Sequence, residues 1–142
     1  MQTVPDRTFQ FAVRIIKLCQ HLEESGGVAR TIGKQLLHFG TSIGANVQEG
    51  QAGQSKADFI SKNYIALKEA RETLYWLKLL AATEILPESR LIPIAQEAEE
   101  ITRILGAILF PCHLLQFTSL CAREEIPPTA PLYTPQAIGK FP

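Results

Sequence analysis

The stretch IGKQLLHFGTSIGANVQEGQAGQSKADFISKNYIALKEARETLYWLKLL, residues 32–80, is the part of this 142-residue chain that decides its fold. Its first half carries apolar residues at helical spacing, and these are Ile32, Leu36, Phe39, Ile43 and Val47. Residues 50–54 then predict a short turn, and Ser55 followed by Asp58 predicts a capped start of a second helix. The stretch therefore predicts two long helices that lie antiparallel to each other.

Two glycines one turn apart, Gly40 and Gly44, lie inside the first of these helices. Each is expected to cost about 1 kcal/mol relative to alanine in a helix interior. We expect the compensation to be the close approach of a neighbouring helix. The same Gly-x-x-x-Gly spacing occurs in membrane helices that dimerise, but the polar residues around it here are unsuited to lipid.

The flanking sequence predicts one more helix on each side, which makes four helices at about residues 7–24, 28–50, 55–83 and 88–110. The first ends at Ser25-Gly26-Gly27, where glycine favours a C-terminal cap. The last has apolar residues at alternating spacings of three and four, as in a seam between packed helices. The residues expected to be mostly buried are Ile43, Leu67, Leu74, Leu77, Ile101 and Leu105.

The first helix carries a second apolar row, Phe9, Val13 and Ile16, beside the row Phe11, Ile15, Leu18 and Leu22. One bundle seam needs only one broad apolar stripe. The second row therefore predicts burial against another subunit.

Length and composition predict one domain, residues 1–110, followed by a Pro-rich tail at residues 111–142. Six of the nine prolines lie in that tail, and residues 112–123 are its one segment able to form a short helix. The longest apolar run, residues 104–110, is far shorter than a membrane span. Three scattered cysteines and the absence of a signal-peptide pattern predict a soluble, cytoplasmic protein.

The charge and motif content argue against several functions. Formal net charge is zero, with 14 basic and 14 acidic residues, so the electrostatic footprint of a non-specific nucleic-acid binder is missing. A di-metal bundle site needs Glu-x-x-His pairs, whereas this chain has only Glu69/Glu72 and Glu97/Glu100. The adjacent Cys112 and His113 do not share a helix face. We therefore predict no enzyme, catalytic residue, metal or cofactor.

One set of polar residues in the second and third helices falls at helical spacing and is expected to meet where the two helices pack. Its members are Ser42, Asn46, Glu49, Lys62, Glu69, Thr73 and Trp76. A buried hydrogen-bond network that holds the register of the helices is the main hypothesis, because unsatisfied polar groups in a core are costly. A small-ligand pocket and plain solvent exposure are the alternatives.

The sequence also resembles the four helix bundle protein family, known too as the ribosomal-RNA intervening-sequence proteins, over roughly residues 7–110. The residues that carry the resemblance are Gln35–Leu37, Thr41–Val47, Ser55–Ile60, Ala66–Ala70, Glu72–Thr73 and Tyr75–Leu77. The resemblance implies an antiparallel up-down-up-down four-helix bundle and assembly as a pentameric ring. The family as a whole has no established chemistry.

Two functional hypotheses follow from the resemblance. The first is a non-enzymatic oligomeric scaffold or adaptor whose partner is itself. The alternative is an RNA-binding accessory protein, because related bundles of retroelements hold nucleic acid and a reverse transcriptase. Those bundles are strongly basic, and many family members have paired arginines where this chain has Leu37 and His38. The candidate nucleic-acid contacts are Arg14, Lys17, Arg30, Lys34 and His38.

Overall fold

The computed structural model describes the backbone of residues 1–121 and the side chains of residues 1–111. Four helices follow one another along the chain: α1 (Val4–Ser25), α2 (Gly27–Gln51), α3 (Lys56–Ala82) and α4 (Glu88–Cys121). Each helix packs against the next, and residues 1–121 contain no β-strand. The prediction of an all-α, antiparallel four-helix bundle is confirmed.

Local sequence signals account for where the helices begin and end. Thr3 and Asp6 form a capping box at the start of α1, and the Ser55 hydroxyl accepts a hydrogen bond of 3.1 Å from the Asp58 backbone N–H at the start of α3. Gly26 and Gly27, at φ angles of 69° and 54°, allow the abrupt break between α1 and α2. Each predicted boundary of the first three helices lies within three residues of the observed one.

The glycines of α2 face α1 at very short range. A Cβ on Gly40 would lie 2.7 Å from Ile15 Cγ2, and a Cβ on Gly44 would lie 3.3 Å from the Thr8 carbonyl oxygen. Gly33 meets Leu22 in the same way, at 3.1 Å. The expected compensation for glycine in this helix is therefore confirmed: it lets α1 pack directly on the backbone of α2.

The core runs along the whole bundle, from Phe11 and Ile15 in α1 to Leu105 and Leu109 in α4. Of the six residues expected to be mostly buried, only Leu74 is half-buried. At about 25 cal/mol per Å² of apolar surface, this burial is the main favourable term in folding.

Helix α4 differs from the prediction. It does not end near residue 110 but continues to Cys121, so residues 112–121 extend α4 instead of forming a separate short helix. Pro93 and Pro111 both lie inside it. Each removes one backbone N–H, but both prolines are exposed, so the carbonyl group left without its helical partner lies on the solvent side. The rest of the predicted tail, residues 122–142, lies outside the described residues.

Among the helix pairs that are in contact, the first and last helices share the smallest contact. Consecutive helices pack along their length, whereas α1 and α4 touch over a short stretch only. There, Arg7 forms a two-pronged ion pair with Glu97, at 2.7 and 3.2 Å. The described part of the chain has no helix that is long and apolar enough to span a membrane.

Candidate functional surfaces

Of the predicted polar set, only one pair of residues meets across α2 and α3. The Lys62 ammonium group forms an ion pair with the Glu49 carboxylate beside the α2–α3 turn. The Lys62 side chain has 38% of its surface exposed and the Glu49 side chain 57%. An ion pair with this exposure contributes at most about 1 kcal/mol.

Most of the remaining set does not form the network that the sequence suggested. The Ser42 hydroxyl donates to the His38 carbonyl at 2.7 Å, the Asn46 amide to the Ser42 carbonyl at 2.9 Å, and the Thr73 hydroxyl to the Glu69 carbonyl at 2.7 Å. These bonds stay within one helix, because short polar side chains reach the carbonyl one turn back without help from a neighbour. Trp76 packs against the core and meets the Tyr75 ring edge to face.

Glu69 is the member of the set with an unusual environment. One of its carboxylate oxygens, Oε2, is buried and has no hydrogen-bond partner in the described structure. Burial raises the pKa of Glu69, the charge of Glu72 raises it further, and the charges of His38 and Lys68 oppose the rise. A buried carboxylate oxygen without a hydrogen-bond partner lowers the stability of the fold, and it gives no sign of an organised binding site.

A buried polar residue that the sequence interpretation missed is Asn63. It is 1% exposed, and its amide donates to the Phe59 carbonyl at 2.8 Å. A Cβ on Gly50 would lie 3.0 Å from the Asn63 amide nitrogen, so the glycine at the end of α2 makes room for it. In the sequence, only Gly50 at the end of α2 could have indicated that Asn63 is buried.

The basic candidates lie on two sides of α1 and do not form one patch. On the side facing α2, Arg30 is paired with Glu23 at 3.0 Å, and Lys34 lines a groove together with Glu23 and Glu24. On the side facing α4, Arg14 and Lys17 line a different pocket. His38 stacks edge-on against Phe39.

The groove between α1 and α2 is the larger of the two, with a volume of about 700 Å³. Its apolar lining comes from Ile16, Cys19, Gly33 and Leu37. Burial raises the pKa of Cys19 to about 11, so this thiol stays protonated at neutral pH and is a poor nucleophile.

Apolar side chains lie exposed along the same side of the bundle. Phe9 is 59% exposed, Ile16 42% and Leu37 39%. We call these three residues the α1–α2 apolar surface. Phe9 and Ile16 belong to the second apolar row that the sequence showed, and none of the residues whose side chains are described covers them.

Among residues whose side chains are described, no cluster of three or more His, Cys, Asp or Glu residues is arranged to hold a metal ion. Cys112 and His113, which the sequence predicted not to share a helix face, lie outside those residues.

Comparison with known proteins gives one family and a solved relative. Residues 2–107 match the model of the 23S rRNA-intervening sequence protein family. A crystal structure of a Bacteroides thetaiotaomicron protein of unknown function, from the S23 ribosomal protein family, is 44% identical with a TM-score of 0.70. The similarity covers 75% of this chain and 98% of that one. A search of the curated proteins finds no match.

Proposed function

Because this chain belongs to the 23S rRNA-intervening sequence protein family, we propose that it is a non-enzymatic, cytoplasmic helical-bundle subunit that assembles with its own copies into an oligomeric scaffold or adaptor. The resemblance noted above makes a ring of five the expected assembly.

The observation that carries the proposal is the α1–α2 apolar surface. Large apolar side chains that are contiguous and exposed mark interaction sites more often than isolated ones do. Two of the three, Ile16 and Leu37, line the groove of about 700 Å³ between α1 and α2. We expect a helix of another subunit to pack into this groove.

A closed ring needs two different surfaces on each subunit, since its contacts are heterologous. Exposed apolar residues on the other two helices supply candidates for the second surface. Tyr75 of α3 is 59% exposed and Ile92 of α4 is 45% exposed. The α1–α2 apolar surface of one subunit would then pack on α3 or α4 of the next.

The test measures molar mass by light scattering and sedimentation at micromolar concentration, for the parent and for the double variant Ile16→Lys/Leu37→Lys. We expect an oligomer for the parent and a smaller species for the variant, because two charges would have to be buried at the contact.

A matched control adds the same charges to the same two helices without removing apolar surface: Gln10→Lys/Gln35→Lys, both at exposed positions. It should keep the parent's mass. A monomeric parent, or loss of assembly in both double variants alike, would contradict the proposal.

The RNA-binding alternative receives less support. Arg30 is neutralised by Glu23, and Lys34 lies beside two carboxylates. The five basic candidates therefore cannot act as one patch within a subunit.

A further inference from the structure

A small pocket between α1 and α4 is lined by Arg14, Lys17, Leu18, Arg90 and Ile94. We call it the basic groove; its volume is about 240 Å³. From this arrangement we propose that the basic groove binds a phosphate-bearing ligand, through the two guanidinium groups and the ammonium group around an apolar floor.

The first argument is the local charge. Three cations line this small groove in a chain whose net charge is zero, and none of its lining residues is acidic. Arg14 and Lys17 are one turn apart on α1, where neighbouring side chains have Cβ atoms about 5–6 Å apart and like charges repel. Arg90 adds a third positive charge from α4. A bound anion would relieve this repulsion.

The second argument is that Glu97, a carboxylate near Arg14, is already engaged. Glu97 is close enough for the charge of Arg14 to contribute to lowering its pKa, but both of its oxygens accept hydrogen bonds from Arg7. Glu100 pairs with Arg103 at 2.6 Å. In the described structure none of the three groove cations forms an ion pair within 4 Å, so their N–H groups face the pocket or solvent.

The third argument concerns the type of ligand. Two arginines present planar forks that match the oxygens of a phosphate group, and a lysine adds a mobile point charge. Leu18 and Ile94 form a floor, and Ile94 is only 6% exposed. The small volume favours a compact ligand with several negative charges, either a free phosphorylated small molecule or a short segment of nucleic-acid backbone.

The experiment titrates the full-length protein with inorganic tripolyphosphate and, separately, with a labelled single-stranded RNA. Methyl resonances of Leu18 and Ile94 report on the groove, and calorimetry or polarisation gives the affinity in each arm. We expect tripolyphosphate to shift both methyl groups. The variant Arg14→Gln/Lys17→Gln should weaken its binding by at least about tenfold, since each charged hydrogen bond carries roughly that factor.

The matched control is Lys68→Gln/Arg71→Gln. It removes one lysine and one arginine with the same spacing from exposed positions of α3, so the change in net charge is identical. Circular dichroism verifies that both double variants remain folded. A loss of tripolyphosphate affinity in the groove variant but not in the control variant supports the site. If only the affinity for RNA falls, and only in the groove variant, the site is also supported, and its ligand is the phosphate backbone of a nucleic acid.

Two outcomes overturn the proposal. One is the absence of binding by the folded parent in both arms at low salt. The other is an equal loss of affinity in both double variants, which would show that only overall charge matters.

Discussion

At the scale of single residues, Gly40 shows how tightly α1 and α2 pack. Replacing it with alanine should stabilise the isolated helix by about 1 kcal/mol. In the bundle the new Cβ would lie 2.7 and 2.9 Å from the two γ-carbons of Ile15, which is fully buried and cannot swing away. We therefore expect Gly40→Ala to destabilise the protein by about 1–2 kcal/mol, as overpacking does.

Gly106→Ala is the matched control, because Gly106 is also helical but a Cβ there would meet no atom of the described residues within 4 Å. It should leave stability unchanged or raise it by up to about 1 kcal/mol. Urea unfolding at one fixed protein concentration measures both variants. Equal effects of the two substitutions would show that the contact with Ile15 does not matter.

Glu69 should respond to pH in a characteristic way. Its folded-state pKa is raised, chiefly by burial, so its ionisation works against folding. That penalty is complete above the raised pKa and disappears below the ordinary glutamate value of about 4.3. Glu69→Gln should therefore stabilise the protein at pH 7 by a few tenths of a kcal/mol, after discounting for solvent screening, and should have no effect in acid.

Urea unfolding across this pH range checks the prediction, with the exposed Glu99→Gln as control. A loss of stability at pH 7 in Glu69→Gln would mean that the carboxylate has a stabilising partner.

At the scale of helices, the α1–α4 seam depends on Arg7 and Glu97. The pKa of Glu97 is lowered, first by the hydrogen bond from Arg7, so this carboxylate stabilises the fold when ionised. The contribution is present above the ordinary glutamate pKa and is lost as the pH falls through the lowered one. Glu97→Gln should cost about 1 kcal/mol at pH 7 and nothing in strong acid.

This pH dependence is opposite in sign to that of Glu69→Gln, so the pair of variants is a stringent test in the same unfolding experiment. Glu99→Gln is again the control: its Lys78 partner is 3.7 Å away and both side chains are well exposed. A similar cost for Glu97→Gln and Glu99→Gln would show that the seam gains nothing from its two-pronged geometry.

At the scale of the whole molecule, balanced charge predicts weak attraction to nucleic acid. Affinity that rests on several phosphate contacts falls steeply with salt. Arg30 is neutralised within its own subunit. We expect no measurable RNA binding at about 150 mM salt, where exposed charges are screened within about 8 Å.

A polarisation titration with labelled RNA measures this directly. Submicromolar affinity at that salt, abolished by Arg30→Glu/Lys34→Glu, would make RNA binding the better account of the protein and displace the scaffold proposal.

Local sequence signals determined much of the architecture. Apolar periodicity located all four helices, the Ser55–Asp58 cap marked the start of α3, and Gly40 and Gly44 indicated a close helix contact. These features depend on residues within a few turns of one another. The apolar row that includes Phe9 and Ile16 was likewise visible as an excess over what one bundle requires.

Tertiary structure alone decided how distant side chains combine. Sequence spacing placed Ser42, Asn46 and Thr73 on facing helices, but each satisfies its hydrogen bond within its own helix, a local alternative that spacing cannot exclude. Arg90 is 73 residues beyond Lys17, and only the packing of α4 beside α1 brings it into the basic groove. Helices form from short-range periodicity, whereas sites form where helices remote in sequence meet.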